Sequence, residues 1–350
     1  NSHERSEIPE QAYLAALLRD LRTEAGRAGE RPVTTVFIGG GTPSLMSGVF
    51  YEKLFNALRQ QLNLAADAEI TLEANPGTVE QARFDAYREA GINRLSLGVQ
   101  SFHPAHLEAL GRIHGRDEAL HAVEAARRAG FDNINLDLMH GLPGQGRADA
   151  LADLEQAVAL APTHLSWYEL TIEPNTAFYH QPPLQPDSDT LADTEEAGFA
   201  LLARHGYRRY EVSAFARPGR ECRHNLNYWQ FGDYLALGAG AHGKVTDADG
   251  QVWRYRKTRL PEHYLAALDP TRERRAVAPE DLPMEYFLNT LRLLDGATAD
   301  LFAARTGLPL STVEPVLAKL ESERLLTRQA GRIACTPLGI RHLNRILEAF

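Results

Sequence analysis

The chain has 350 residues, of which 44% are hydrophobic and 24% are charged. This composition is typical of a folded protein with one sizeable α/β domain and a smaller one, and it argues against disorder. The sequence contains no apolar run of about 18 residues and no apolar signal-peptide core, so we expect a cytoplasmic protein. A formal net charge of −9 argues against nucleic acid as the main partner.

Predicted helices and strands alternate along the first two thirds of the chain. Apolar residues that recur every three or four positions predict a helix from about Glu10 to Gly26, and a strand follows at 33–38. Further helices are predicted at about 49–63, 79–90, 117–129, 147–160 and 189–204, and strands at 69–74, 94–100, 133–139 and 164–171. This repeat is typical of a parallel sheet or barrel. Because the series opens on a helix, we expect one more strand upstream.

The regular alternation stops near residue 205, which divides the chain into three predicted segments. Residues 1–205 form a partial barrel, and 206–282 form an extension that opens with a strand at 207–215. Residues 283–350 follow a winged-helix order: a helix at 284–294, a helix–turn–helix pattern, a short strand and one last helix. This last segment has eight basic and seven acidic residues, which favours a packing or substrate-covering role over DNA binding.

Polar residues alternate with apolar ones in three successive predicted strands. Glu73, Gln100 and Asp137 lie toward the carboxyl ends of these strands, where parallel α/β folds place their active sites. Closed barrels have a mainly apolar interior, so a polar one predicts an open barrel that holds a ligand. The alternative is that these side chains cap helices or bind loop amides.

Two further features suit a ligand but have ordinary explanations as well. The glycines 39–41 after the first strand let a ligand approach the backbone closely, although a tight turn would also use them. They fit neither a dinucleotide fingerprint nor a phosphate-binding loop. Arg112 could clamp a carboxylate with two hydrogen bonds, or it could be an exposed loop arginine.

Five motifs in order carry a resemblance to a known family: GGGTP (39–43), LEANPGT (72–78), GVQSF (98–102), LGRIH (110–114) and DLMHGLPGQ (137–145). Together they resemble the HemN-type branch of the radical S-adenosylmethionine (SAM) family, and the likeness spans nearly the whole chain. It implies an α/β fold: a partial (β/α)6-type radical SAM barrel that lacks its first strand here, followed by a smaller C-terminal winged-helix-like domain.

The same resemblance implies roles in binding SAM, which we carry over residue by residue. They are Gly40, Gly41 and Thr42 for the amino end, Glu73 and Arg112 for the methionine part, Gln100 and Asp137 for the ribose hydroxyls, and Thr171 near the adenine. These roles agree with the chemistry, because carboxylate and amide oxygens accept hydrogen bonds from hydroxyls and a guanidinium matches a carboxylate.

Two more segments, 170–178 and 222–243, resemble the heme-chaperone branch of this family. In that branch an HNxxYW block, here His224, Asn225, Tyr228 and Trp229, is proposed to bind heme. A histidine suits the iron and aromatic rings suit the macrocycle, whereas a His-Asn pair that orders a loop is the alternative. His242 is a second candidate. The implied activity is binding of heme and its transfer to respiratory acceptor proteins, membrane-associated ones among them.

The chain departs from the family in one respect. Radical SAM proteins hold a [4Fe–4S] cluster on the three thiolates of a CxxxCxxC motif, and this sequence has only Cys222 and Cys335. In the chaperone branch that motif stands just before Phe-Asn-Ser. Because this chain begins Asn1-Ser2-His3, we expect the cluster cysteines immediately upstream of Asn1 and no metal ligand within the chain.

Two other functions compete with heme transfer. The enzymatic alternative is oxygen-independent coproporphyrinogen III oxidation, in which a 5′-deoxyadenosyl radical abstracts a propionate β-hydrogen before decarboxylation. HemN-type oxidases tend to carry a fourth cysteine near the cluster, where this chain has Asn1-Ser2-His3. The third possibility is a ligand-responsive winged-helix regulator, which the nearly neutral C-terminal segment disfavours.

Overall fold

A computed structural model describes residues 9–78, 81–112, 114–174 and 176–350. Asn1, Ser2 and His3 lie outside the described residues, as do Ile113 of the LGRIH motif and Asn175 of segment 170–178. The chain divides into two compact units. In described residues, the first unit comprises 35–52 and 68–222, and the second comprises 9–34, 53–67 and 223–350.

The larger sheet has seven strands, and its inner strands form the parallel partial barrel that the sequence predicts. In chain order the strands are β1 (Val33–Ile38), β2 (Leu64–Ala74), β3 (Arg94–Gln100), β4 (Ile134–His140), β5 (His164–Glu169), β6 (Arg208–Arg209) and β7 (Ala214–Ala216). Their order in the sheet is β1-β2-β3-β4-β5-β7-β6. The pairs from β2 to β5 are parallel, whereas β7 is antiparallel to both of its neighbours.

Helices alternate with these strands, as their periodic apolar residues predict. They are α1 (Glu10–Ala28), α2 (Gly48–Gln61), α3 (Gln81–Ala90), α4 (Pro104–Ala109), α5 (Arg116–Arg128), α6 (Arg147–Ala159), α7 (Ala177–His180) and α8 (Ser188–Arg204). Helix α1 belongs to the second unit. All seven residues of β3 are buried, so this strand lies at the centre of the barrel core.

The strand expected at 207–215 is instead the two short strands β6 and β7. Arg208 pairs with Ala216 and Arg209 pairs with Phe215, so the chain reverses direction between them. β-Strand propensity alone cannot reveal such a reversal, because the residues of the turn have the same polar and apolar alternation as a strand.

The second unit contains a three-stranded antiparallel sheet of order β10-β9-β8. Its elements are α9 (Arg223–Trp229), β8 (His242–Thr246), β9 (Val252–Lys257), α10 (Pro261–Ala266) and β10 (Thr271–Ala276). β9 is the central strand and pairs with both neighbours. Among the described residues no helix combines the length and the apolar character that crossing a bilayer would need.

The C-terminal part has the order of a winged helix. Its elements are α11 (Leu282–Thr290), β11 (Ala297–Thr298), α12 (Ala299–Thr306), α13 (Glu314–Ser322), β12 (Leu326–Gln329), β13 (Arg332–Cys335), α14 (Pro337–Arg341) and α15 (Leu343–Leu347). The single last helix of the prediction is thus two short ones. The rings of Phe287 and Phe302 stack in its core with centroids 5.7 Å apart. The segment boundaries at 205 and 282 remain predictions.

Candidate functional site

The glycine loop after β1 lies against the carboxylate of Glu73. Gly40 and Gly41 have φ angles of +84° and +64°, a region that favours glycine, and the amide of Gly40 donates a hydrogen bond of 3.2 Å to Oε2 of Glu73. A Cβ at Gly39 would lie 2.7 Å from the same oxygen. The absence of a side chain at Gly39 therefore lets the carboxylate approach the loop backbone.

Glu73 and Asp137 are carboxyl groups of the barrel whose pKa values are raised. Burial is the main cause for Glu73, and the negative charge of Asp137 raises its pKa further. Asp137 accepts hydrogen bonds of 2.8 Å from Oγ of Ser96 and from Nδ2 of Asn135, yet its burial still raises its pKa. Two neighbouring carboxylates that are costly to ionise together suit a ligand with positive charge or hydroxyl donors.

Tyr168 of β5 links the predicted residues. Its hydroxyl donates a hydrogen bond of 2.9 Å to Oε1 of Gln100, which is buried. Burial raises the pKa of Tyr168, and so do the charges of Asp137 and Glu73, whereas Arg112 lowers it. Gln100 thus binds the phenol directly, and Glu73, Arg112 and Asp137 lie close enough for their charges to act on it.

Sequence reasoning missed Tyr168, although the signal was present. β5 alternates as the strands before it do, with Leu165 and Trp167 buried and Ser166 and Tyr168 partly buried. Ser166 pairs with Asp137 across the sheet. The polar face that we followed through three strands therefore continues onto a fourth.

The other predicted residues lie on loops. Arg112, which follows α4, is exposed, and its Nη1 donates a long hydrogen bond of 3.4 Å to Oδ1 of Asn75. Thr42 precedes a short 3-10 turn after β1. Because β5 ends at Glu169, Thr171 falls on the following loop, where its exposed hydroxyl donates to Oε1 of Glu173 at 3.1 Å.

A buried polar network continues from Asp137 toward the starts of the strands. Oδ1 of Asn135 lies 2.6 Å from Nδ1 of His164, whose Nε2 lies 2.9 Å from the hydroxyl of Tyr210. Burial holds the pKa of His164 well below its usual value, and the charge of Arg94 lowers it further, which favours the neutral imidazole. The network fixes Asn135 and, through it, the carboxylate of Asp137.

The candidate heme residues lie together on α9 in the second unit. His224 and Tyr228 are one helical turn apart, as are Asn225 and Trp229, so each pair shares a face. The ring of Tyr228 meets that of Trp229 edge-on at 5.6 Å and stacks on Tyr234 at 4.8 Å.

Two details of this region matter for a ligand. Among the described residues, the buried Nε1 of Trp229 has no hydrogen-bond partner, and the guanidinium of Arg292 lies 5.3 Å from the centre of the Trp229 ring. His242, the second candidate, is exposed at the start of β8. An unpaired donor beside aromatic rings and a cation suits an anionic aromatic ligand.

The two cysteines of this chain are too few to hold an iron–sulfur cluster of this type. Cys222 is buried with its Sγ 3.5 Å from Oε1 of Glu69, and Cys335 is buried in the C-terminal core, where burial raises its pKa to about 12. A [4Fe–4S] cluster of this type needs three thiolates. In the part of the chain that the structure describes, no three histidine, cysteine or acidic side chains are grouped to hold a metal ion.

Two family models match this chain. Residues 10–157 match the radical SAM superfamily, and residues 277–342 match the HemN C-terminal domain. The chain is 50% identical to the heme chaperone HemW of Escherichia coli (strain K12), over 100% of this chain and 93% of that protein. It is 33% identical to the heme chaperone HemW of Bacillus subtilis (strain 168), over 98% and 92% respectively.

Among solved structures, the chain resembles the coproporphyrinogen III oxidase HemN from Escherichia coli, a radical SAM enzyme. The TM-score is 0.81 at 22% identity, over 99% of this chain and 84% of that one. At this identity the likeness shows the fold, which is the predicted partial barrel with a C-terminal domain. The sequence identities over the full chain show the family as well as the fold. The chain belongs to the HemW heme chaperone family of radical SAM proteins.

Proposed function

We propose that this protein binds heme as cargo and transfers it to acceptor proteins. The observation that carries the proposal is the 50% identity, over the full chain, to a protein named as a heme chaperone. The arrangement of α9 supports it, since a histidine and two aromatic side chains lie on one short helix. The acceptors would be respiratory proteins, membrane-associated ones among them, and the transfer would take place in the cytoplasm.

The residues of α9 suit the parts of a heme. The imidazole of His224 would bind the iron, and Tyr228, which is 37% exposed, and Trp229 would contact the flat macrocycle. Asn225 would orient the histidine or a propionate by hydrogen bonding. Arg292, beside Trp229, offers a cation to a propionate.

The barrel residues fit SAM as a bound cofactor. Glu73 and Asp137 match a ligand that carries an ammonium group, a sulfonium and ribose hydroxyls, and Arg112 is exposed for its carboxylate. Gly40 and Gly41 leave room for the amino end near Glu73, with Thr42 next in the loop. Gln100 would accept from the ribose, and Thr171 would lie near the adenine.

When bound, SAM supplies a 5′-deoxyadenosyl group that becomes a radical if a reduced iron–sulfur cluster cleaves the cofactor. The two cysteines of this chain are too few to bind that cluster, which would need a third thiolate. The fold likeness to HemN at 22% identity does not support an oxidase activity for this chain.

Heme titration of the purified protein tests the proposal. We expect a Soret band that saturates with added heme, and we expect the His224→Ala variant to bind heme more weakly by at least tenfold. His263→Ala, which changes an exposed histidine of the same unit, is the matched control. His242→Ala distinguishes the second candidate ligand. Absence of a saturable Soret band would rule out heme binding, and unchanged affinity in His224→Ala would remove His224 from the site.

A further inference from the structure

Gln100 has an unusual backbone conformation. Its φ is +69°, and the amide of Ser101 donates a hydrogen bond of 2.9 Å back to the carbonyl oxygen of Val99. These two features define a γ-turn with a left-handed central residue, a rare and strained turn for any residue except glycine. The register between β3 and β4 also shifts between Leu97 and Gln100. Strained residues of this kind persist only where the surroundings hold them, and they concentrate at functional sites.

Asp153 of α6, which is only 3% exposed, binds the residues that follow this turn. Its Oδ2 accepts a hydrogen bond of 2.6 Å from Oγ of Ser101, and its Oδ1 accepts one of 2.7 Å from the amide of Phe102. Both donors belong to the two residues that follow Gln100. The carboxylate thus fixes the exit of the turn with both of its oxygens.

Asp153 also reaches the loop after β4, the strand that carries Asp137. Nε2 of Gln145 lies 3.4 Å from Oδ2 of Asp153, and Oε1 of Gln145 accepts from the amide of Leu142 at 3.3 Å. One buried carboxylate therefore ties together the loops that follow two adjacent strands. Among the described residues, no hydrogen bond joins Asp153 to the side chain of Gln100 or of Asp137.

The side-chain direction of Gln100 depends on this turn. With φ at +69° the carboxamide of Gln100 lies where Tyr168 can donate a hydrogen bond to its Oε1. Its Nε2 lies so close to Gly98 that a Cβ placed there would be only 3.1 Å away. A relaxed, negative φ would turn the Cα–Cβ bond away from this position. The carboxamide of Gln100, which would bind the ribose, is therefore positioned by the hydrogen bonds that Asp153 accepts from Ser101 and Phe102.

We propose that Asp153 is a positioning residue of the cofactor site, which holds the strained turn that aims Gln100 into it. This inference rests on the proposed binding of SAM by Gln100. A carboxylate that serves only to pack α6 against the barrel would make the same hydrogen bonds. In that case its loss would lower stability without a specific effect on a ligand that meets Gln100.

The test measures SAM binding to the full chain by isothermal titration calorimetry. Asp153→Asn keeps the volume but removes the charge and replaces one acceptor oxygen with a donor, so the charge-assisted bond from Ser101 is lost and the pair can re-form only if the hydroxyl accepts instead. We expect binding to weaken roughly tenfold, in the range for a lost hydrogen bond to a charged group. Glu155→Gln, an exposed change on the same helix, is the control and should bind as the wild type does. If Asp153→Asn does not fold, Ser101→Ala removes one of the two bonds and should act in the same direction.

A double-mutant cycle separates positioning from packing. Gln100→Gly removes both the side chain and the strain, since glycine adopts positive φ freely. In that background we expect Asp153→Asn to cause no further loss of affinity. Equal losses in both backgrounds, or wild-type affinity in Asp153→Asn while Gln100→Ala binds weakly, would overturn the positioning role alone. Unchanged affinity in Gln100→Ala, or no SAM binding by the wild type, would instead overturn the proposed cofactor site and the positioning role with it.

Discussion

The hydroxyl of Tyr168 donates a hydrogen bond of 2.9 Å to Oε1 of Gln100. With Oε1 occupied in this way, the Gln100 amide is held in one orientation. Replacing Tyr168 with Phe keeps the ring and removes the bond, so we expect SAM affinity to fall by about 1 kcal/mol, or roughly fivefold. Titration calorimetry measures this change. Tyr179→Phe is the matched control, since Tyr179 is 54% exposed. Wild-type affinity in Tyr168→Phe would mean that Gln100 needs no such partner.

The sequence was sufficient to predict the elements that position the site. Alternation of polar and apolar residues placed Glu73 and Asp137 on the interior face, and the structure shows them as neighbouring carboxyl groups. The same alternation extends to Tyr168 in β5. Local patterns succeed here because a side chain's face in a strand follows from its position alone.

The turn at Gln100 could not be predicted in this way. Propensity gives a glutamine no preference for positive φ, and the residue adopts it because Asp153, more than 50 positions further along the chain, binds its neighbours. The reversal between β6 and β7 has a similar origin, since its antiparallel pairing with β5 is a tertiary choice. The roles assigned to individual residues in binding SAM and heme remain predictions.

Gly39 allows a second test of the SAM site. Its φ is not positive, so alanine can adopt its backbone conformation, but the new Cβ would lie 2.7 Å from Oε2 and 2.8 Å from Cδ of Glu73. The carboxylate can swing away at small cost in stability. We therefore expect Gly39→Ala to retain the wild-type melting temperature and to bind SAM at least tenfold more weakly.

The matched control for Gly39→Ala is Gly26→Ala. Gly26 is an exposed residue of α1, and a Cβ there would meet no atom within 4 Å. We expect this variant to bind SAM as the wild type does and to be more stable by roughly 0.5–1 kcal/mol, because alanine loses less backbone entropy in a helix. Equal SAM affinity in the two variants would show that SAM binding does not depend on the position of the Glu73 carboxylate beside the glycine loop.

The buried imidazole of His140 makes the free energy of unfolding depend on pH. Its imidazole is 1% exposed and packs on Trp167 with ring centres 4.4 Å apart, and burial lowers its pKa to about 4. Oε1 of Glu195 lies 3.7 Å from Nε2, too far for a hydrogen bond, so the attraction does not offset the burial. In the unfolded chain a histidine has a pKa of about 6.5.

Between these two pKa values the unfolded chain binds a proton at His140 that the folded protein does not. His140 therefore does not lower the free energy of unfolding above about pH 6.5. As the pH falls from about 6.5 toward 4, the free energy of unfolding decreases by up to about 3 kcal/mol. Urea unfolding at several pH values should show a shallower loss in His140→Gln than in the wild type. Parallel curves for the two proteins would mean that folding does not shift the pKa of His140.

A buried ionic cluster joins α1 to β9 within the second unit. Nζ of Lys257 lies 2.5 Å from Oδ1 of Asp20 and 2.7 Å from Oε1 of Glu24, and the three side chains are at most 1% exposed. Lys257→Met removes the cation that the two carboxylates share and leaves Asp20 buried without one, while Arg27 still pairs with Glu24. We expect a loss of roughly 3–5 kcal/mol in the free energy of unfolding. Urea denaturation measures it.

The triple variant Asp20→Asn, Glu24→Gln, Lys257→Met separates the uncompensated charge from the lost contacts. It keeps the side-chain volumes and removes all three charges, so we expect it to recover most of the stability that Lys257→Met loses. The hydroxyl of Tyr264, which donates to Oδ2 of Asp20 at 2.8 Å, can still donate to the amide oxygen of Asn. If the triple variant is no more stable than Lys257→Met, the cluster stabilises the unit through its specific hydrogen bonds, and the charge left behind is not the cause.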